Sequence, residues 1–311
     1  MKQFFEEIDL TTALTEAEWL ARLDEIGDEV GAFTPLGSQH ASFFLDGDDT
    51  LLVSFESVAS IRKDFAMQRP RAVEIALQHG WSSLVILARA PRFYRDAEVL
   101  DFFDAQIDDS FFDSFRRVLF FGTGQHGYAA CTFSLAAPGA TVLAISPQAT
   151  LDPEIAPWEN RFPSQRRLDF RSRFGFAPAM LEGARTAFVV YDPSEKLDAM
   201  HATLYRRPPV CVLRTPALGP DTVAALDRLG LVNTLIEAAM RGRLSQRRFA
   251  DMMRDRRKDA IYMQDLVRRV AQSNHPRLTA IAAQHALALI YGASAPAGDQ
   301  LLQEELVEHP E

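Results

Sequence analysis

The stretch Val118-Leu-Phe-Phe-Gly122-Thr123-Gly124-Gln125-His126-Gly127-Tyr128-Ala-Ala-Cys131 limits what this chain can fold into more than any other. An apolar run enters three glycines within six positions, and a segment rich in Ala, Phe and Leu continues without a breaker until Pro138. Such a run predicts a buried strand, the clustered glycines a sharp turn, and the segment after them a helix. Strand–turn–helix units of this kind serve two chemistries. One is dinucleotide binding, whose fingerprint Gly122-x-Gly124-x-x-Gly127 matches. The other places a nucleophile on the strained turn between strand and helix, with small neighbours to let the backbone pass.

Context decides against the dinucleotide. A nicotinamide site needs an acid at the end of the next strand, about 20 residues on, to hold the ribose. Here the next strand, 141–145, runs into Ser146-Pro147-Gln148, and no acid appears until Asp152. The elbow motif G-x-S-x-G of α/β-hydrolases suits the order of elements better. Laid over it, Gly122 takes the first position, Gly124 stands where the nucleophile belongs, and His126 replaces the second glycine. A glycine cannot attack a substrate.

The flanking chain fits the same architecture. A capping box, Thr15-x-x-Glu18, opens a helix with Trp19, Leu20, Leu23, Ile26 and Val30 on one face. Residues 43–45 and 51–55 flank Asp46-Gly47-Asp48-Asp49 and predict a hairpin turned on Asp-Gly. Helices are predicted over 71–79 and 96–117, the latter carrying Phe102, Phe103, Phe111, Phe112 and Phe115 toward the core. Further buried strands are predicted at 83–88, 141–145, 187–191 and 210–213, giving about five parallel strands plus the hairpin. A connection rich in Pro and Arg, 147–176, is long enough to predict a lid or a partner surface. Past Pro216 the chain turns helical, with a final helix at 278–291 apolar enough to pack down. The expected fold is a three-layer, mostly parallel α/β-hydrolase-like sheet. It divides into a domain over 1–231 with the N-terminal helix and hairpin, a helical C-terminal extension over 232–292, and a loose tail over 293–311.

Composition narrows the partners. The net charge of −9 argues against a general nucleic-acid binder. No apolar run approaches the roughly 18 residues of a membrane span, and Met1-Lys-Gln-Phe-Phe-Glu-Glu has no apolar leader core, so a cytoplasmic protein without membrane contact is expected. Cys131 and Cys211 form neither a disulfide framework nor a metal-ligand pair, and no metal or cofactor is expected. Residues 241–270 hold ten basic and four acidic side chains, which predicts a solvated helical face with intrahelical pairs or, more sharply, a docking surface for an acidic protein.

At the elbow and just after it the chain resembles a group of bacterial α/β-hydrolase-like proteins, often found near polysaccharide and glycosyl-transfer functions. Those typically read G-S-S-M-G-G-Y-A-A, then an apolar strand ending S-P-Q and followed by L-D-P. Here Gly122 to Ala130 takes the first place, and Ser146-Pro147-Gln148 with Leu151-Asp152-Pro153 the second. Tyr191-Asp192-Pro193 with Asp198 and His201 resembles that group's acid-bearing strand end and its D-x-x-H continuation. The whole chain is also similar to an alphaproteobacterial family that carries the label phosphoadenosine phosphosulfate reductase. The S-G-G-x-D-S loop and the E-C-G-x-H motif of those reductases are absent from it.

Acyl transfer on this fold needs a nucleophile at the elbow, an acid after a later strand and a histidine after the last strand. Asp192 fills the acid position, but Gly124 is no nucleophile and 214–220 contains no histidine. The expected function is therefore that of a non-hydrolytic binding or regulatory relative. Its expected pocket for a small anionic or polar ligand is built from Gly122, Thr123, Gly124, Gln125, His126, Gly127, Ser57, Ser146 and Gln148, with Arg89 and Tyr94 nearby. The alternative is a hydrolase or group-transfer enzyme in which His126 works with Asp192 or Glu56. His201 is expected to be a structural partner of Asp198 or Asp192.

Overall fold

The computed structural model describes residues 10–13, 15–272 and 275–291. The tail expected over 293–311 lies outside them. In chain order the elements are α1 Glu16–Val30, β1 Gly31–Leu36, β2 His40–Leu45, β3 Thr50–Ser57, α2 Val58–Asp64, α3 Arg71–His79, β4 Ser82–Ala88, α4 Ala97–Asp108, β5 Arg117–Thr123 and α5 Gln125–Phe133. They continue with β6 Thr141–Ile145, α6 Ala177–Met180, β7 Thr186–Tyr191, α7 Lys196–Leu204, β8 Val210–Arg214, α8 Thr222–Arg228, α9 Leu231–Met240, α10 Gln246–Met252, α11 Ala260–Gln272 and α12 Pro276–Tyr291.

The eight strands among the described residues lie in one sheet, ordered β1-β2-β4-β3-β5-β6-β7-β8. Strands β3 to β8 run parallel, while β2 is antiparallel to both β1 and β4. The central strands are apolar at nearly every position because helices cover both faces. Successive residues face opposite layers. Leu52, Leu119, Leu143 and Val190 pack with Trp19, Leu23, Leu226, Leu235 and Ile236 on one side. Val53, Phe120, Val142 and Val189 pack with Phe103, Tyr128 and Phe133 on the other. This is the three-layer α/β-hydrolase-type architecture that the sequence predicts.

Three elements differ from expectation. β2 and β3 do not form a hairpin, because β4 lies between them. The Asp46–Asp49 connection instead crosses the start of β4, where Gly47 N donates to Ser82 Oγ (2.9 Å) and Asp48 N to Gly80 O (2.9 Å). The actual hairpin joins β1 to β2, and β1 escapes the sequence pattern because Pro35 sits within it. An outer strand with one unpaired side tolerates that proline. The predicted 96–117 helix stops at Asp108, after which Ser110 takes a left-handed φ of 55° and Arg117 begins β5.

The capping box is present, with Thr15 Oγ1 accepting from Glu18 N (3.2 Å) and Glu18 Oε2 accepting from Thr15 N (2.8 Å). The helices after Pro216 begin inside the sheet's own core, since Leu235 and Ile236 of α9 are fully buried there. Among the described side chains of α12 the small residues pack down and the large ones do not. Ala282 and Ala286 are buried, whereas Leu278, Ile281 and Leu287 stay 53%, 56% and 41% exposed. No helix among the described residues is long and apolar enough to cross a membrane.

Candidate functional site

The turn between β5 and α5 forms as the glycines predict. Gly124 N donates to Ile145 O (2.8 Å), tying the turn to the end of β6, and Tyr128 N donates to Gly124 O (2.9 Å), starting the helix. Gly124 has φ 54° and ψ −124°, a backbone conformation that glycine adopts readily and residues with a Cβ resist. A Cβ built there meets only Gln148 Oε1, at 3.9 Å, so the limit is conformational and the space is open. At Gly122 the limit is contact, because a Cβ would stand 2.1 Å from His126 O. The N–H groups of Gln125, His126 and Gly127 precede the first intrahelical donor and point out of α5 with the positive helix end behind them.

His126 reaches back to Tyr94, whose hydroxyl lies 2.5 Å from His126 Nδ1 and 3.4 and 3.5 Å from Glu56 O and Ile86 O. Burial holds the Tyr94 phenol well above its usual pKa, so it keeps its proton. We assign that proton to the short contact with Nδ1, which puts the imidazole proton on Nε2. Phe93 and Tyr94 have left-handed φ of 53° and 55°, and that double twist brings the Tyr94 ring under the ends of β3 and β4. Burial, with a smaller contribution from His40, lowers the pKa of His126 to about 4, so the ring is neutral near pH 7. His40, unremarked in the strand pattern of β2, packs on the Tyr94 ring with centroids 5.1 Å apart. Its Nδ1 is 3.3 Å from Asp96 Oδ2.

Of the other residues the sequence places here, Gln148 and Ser146 border the turn. Gln148 is 3% exposed and its Nε2 donates to Ser146 O at 3.4 Å. Ser146 has a left-handed φ of 48° and a buried Oγ without a hydrogen-bond partner among the described residues. Ser57 caps α2, its Oγ accepting from Ser60 N (3.4 Å). Arg89 faces α1, donating to Glu16 Oε1 (2.5 Å) and Ser38 O (2.9 Å).

The two carboxylates offered to His126 are engaged elsewhere. Glu56 accepts from Ser54 Oγ (2.7 Å) and from the first two amides of α3, Arg71 N (2.8 Å) and Ala72 N (3.1 Å), which makes it a helix cap. Asp192, fully buried at the end of β7, accepts on Oδ1 from Ser194 N (2.8 Å), Ser194 Oγ (2.7 Å) and Ala217 N (3.2 Å). On Oδ2 it accepts from Gly219 N (2.7 Å). Asp192 thus fastens the loop after β8, where a hydrolase of this fold carries its histidine. Arg269 of α11 closes that arrangement from outside by donating to Ser194 Oγ (2.7 Å).

The sequence leads us to expect His201 to partner Asp198 or Asp192, and the structure corrects this: it hydrogen-bonds to neither. Ala149 N donates to its Nδ1 (3.1 Å), which leaves the proton on Nε2 for Glu159 Oε2 (2.9 Å). Asp198 takes Arg161 instead, at 2.6 Å. Burial pushes Glu159 up, but hydrogen bonds from His201 and Arg161 outweigh it and hold the acid at about 2. This buried cluster, with Trp158 against the His201 ring (4.6 Å), pins the 147–176 connection to α7. Glu159 carries no local sequence signal, because its histidine partner is 42 residues away.

A separate cleft of about 570 Å³ opens between the loop after β8 and α11, lined by Pro220, Arg228, Ile261, Arg268 and Gln272 among others and by none of the elbow residues. Three of the ten basic side chains in the run nearby pair with acids three residues away, in Arg254–Asp251, Lys258–Asp255 and Arg268–Asp265.

Strand order, antiparallel β2 and the glycine turn after β5 define an α/β-hydrolase-type fold. No family model matches the chain, and no curated protein does. Among solved structures, it is similar to a thermostable carboxylesterase cloned from a metagenomic library (TM-score 0.46, 12% identity, 75% of this chain and 99% of that one). It is also similar to a fluorophosphonate-binding serine hydrolase of Staphylococcus aureus (TM-score 0.42, 12% identity, 69% and 92%). A third is a capsule O-acetyltransferase of Neisseria meningitidis serogroup A (TM-score 0.42, 12% identity, 63% and 92%).

Proposed function

We propose that this chain is a non-hydrolytic relative of the α/β-hydrolase enzymes that keeps the elbow as a binding pocket for a small polar ligand. The observation that carries the reading is Gly124, which holds the strained turn of a nucleophile elbow without any side chain to attack. Two further features support it. Asp192 spends its oxygens on the backbone of the loop after β8, and that loop has no histidine to orient. His126 is neutral near pH 7 and its Nδ1 meets a phenol rather than a carboxylate, which makes it a weak base. What remains is a set of helix-terminal N–H groups and buried polar side chains around an open space, the ingredients of a binding site.

A fluorophosphonate probe tests this directly, since it labels activated serines. No specific labelling is expected, and labelling that maps to Ser57 or Ser146 would contradict the proposal. Thermal denaturation against a library of small polar compounds should in parallel reveal ligands that raise the melting temperature.

A further inference from the structure

Around position 124 the buried side-chain atoms without partners among the described residues are the amide oxygens of Gln148 and Gln125 and the Ser146 hydroxyl, and the one that faces the space at Gly124 is an acceptor. Gln148 is 3% exposed, and its Oε1 has no hydrogen-bond partner among the described residues although it is the atom nearest to where a Cβ on Gly124 would stand (3.9 Å). We assign its amide orientation from the contact of Nε2 with Ser146 O (3.4 Å), since the reversed amide would set two carbonyl oxygens against each other. Its backbone is fixed by Tyr205 Oη donating to Gln148 O (2.7 Å). Gln125 Oε1 on the other side of the turn is likewise buried and unpartnered. Both nearby histidines are held below their ordinary pKa by burial, so neither brings a positive charge near pH 7.

We infer that the elbow selects a neutral primary carboxamide over a carboxylate. The inference rests on the binding-pocket reading above and names the ligand class for that same site. A carboxamide placed in the open space presents its carbonyl oxygen to the outward N–H groups of Gln125 to Gly127 and its NH2 to Gln148 Oε1. A carboxylate of the same shape satisfies the N–H groups but turns an anionic oxygen on Gln148 Oε1. The helix dipole favours the anion only weakly, whereas an acceptor facing an acceptor in a buried site forfeits a hydrogen bond outright and adds repulsion. The second effect is the larger, and it reverses the preference that a bare helix terminus would show.

Acetamide and acetate are the probes, titrated at pH 7.5 into the 15N-labelled full chain and followed by amide resonances. Acetamide should shift the backbone amides of Gln125, His126 and Gly127 and the side-chain amide of Gln148, and bind at least about tenfold more tightly than acetate. Gln148→Leu removes the acceptor and should erase the discrimination between the two probes. Gly124→Ser fills the space with its own hydroxyl and should abolish the acetamide shifts while the rest of the spectrum is kept. Acetate binding as tightly as acetamide at the same amides would overturn the carboxamide inference and leave the pocket standing. If neither probe moves those amides, the pocket reading itself falls and the inference with it.

Discussion

Replacing Asp192 separates a structural carboxylate from a reactive one. Its two oxygens accept from Ser194 N, Ser194 Oγ, Ala217 N and Gly219 N, and the residue is fully buried. Hydrogen bonds to a charged group contribute about 1.5–3 kcal/mol each, but they are not additive when they share one acceptor and one loop. In Asp192→Asn the better amide orientation keeps the Oδ1 bonds and turns an NH2 on Gly219 N, so one charge-assisted bond is lost and a buried donor is left unpaired. That substitution should destabilise by about 2–3 kcal/mol. Asp192→Ala releases the whole loop and should reach about 3–5 kcal/mol. For a domain of this size class each kcal/mol lowers the melting temperature by roughly 2–4 °C. Urea denaturation gives the global value, and hydrogen exchange gives the local one. The amides of Ala217 and Gly219, protected in the wild type, should exchange rapidly in the alanine variant. If Asp192→Ala costs under about 0.5 kcal/mol and leaves both amides protected, the carboxylate does not hold this loop and the argument from it is wrong.

Two further outcomes follow from the turn. His126 has a folded-state pKa lowered from 6.5 to about 4, so below pH 6.5 the unfolded chain binds a proton that the folded one refuses, and stability should fall as the pH drops toward 4. Urea midpoints across that window should slope less in His126→Asn, by at most one proton or about 1.4 kcal/mol per pH unit, and identical slopes would refute the neutral ring. Gly122→Ala and Gly124→Ala should rank in that order of damage. The first drives a Cβ to 2.1 Å from His126 O, whereas the second meets open space and costs only the backbone strain, about 1–3 kcal/mol. Equal melting temperatures for the two would refute the assignment of contact to one glycine and conformation to the other.

Much of this architecture is legible in the sequence because parallel strands buried on both faces read as unbroken apolar runs. Strands 118–121, 141–145, 187–191 and 210–213 each sit inside or at the bounds of an observed strand. Gly122 and Gly124 mark the elbow for the same local reason. Partner choice is what the sequence hides. Asp46-Gly47 is a strong hairpin signal, yet β4 inserts between the strands it would join, because sheet order is set by crossovers that no local pattern encodes. Pro35 masked β1 for want of knowing that it lies at the sheet edge. Asp192 is legible as the acid at its strand end, but two of its four donors come from a loop 25 and 27 residues further on. His40 lies before the predicted 43–45 strand, at the start of the observed β2, and only the fold brings it against Tyr94. Gln148 stood out through the S-P-Q motif, while its unpartnered oxygen beside Gly124 belongs to the tertiary structure alone.

The central claim is that a usable catalytic base is lacking at the elbow, and Gly124→Ser tests it most directly. The substitution restores the hydroxyl at the nucleophile position, where a Cβ meets only Gln148 Oε1 at 3.9 Å. Hydrolysis of p-nitrophenyl acetate is then compared between the variant and the wild type. Because Asp192 is fastened to Ala217 and Gly219 and no histidine lies in 214–220, the two rates should coincide. A rise of about 10²-fold or more in the variant, the least that a positioned general base supplies, would show that a base is already in place and would contradict the account.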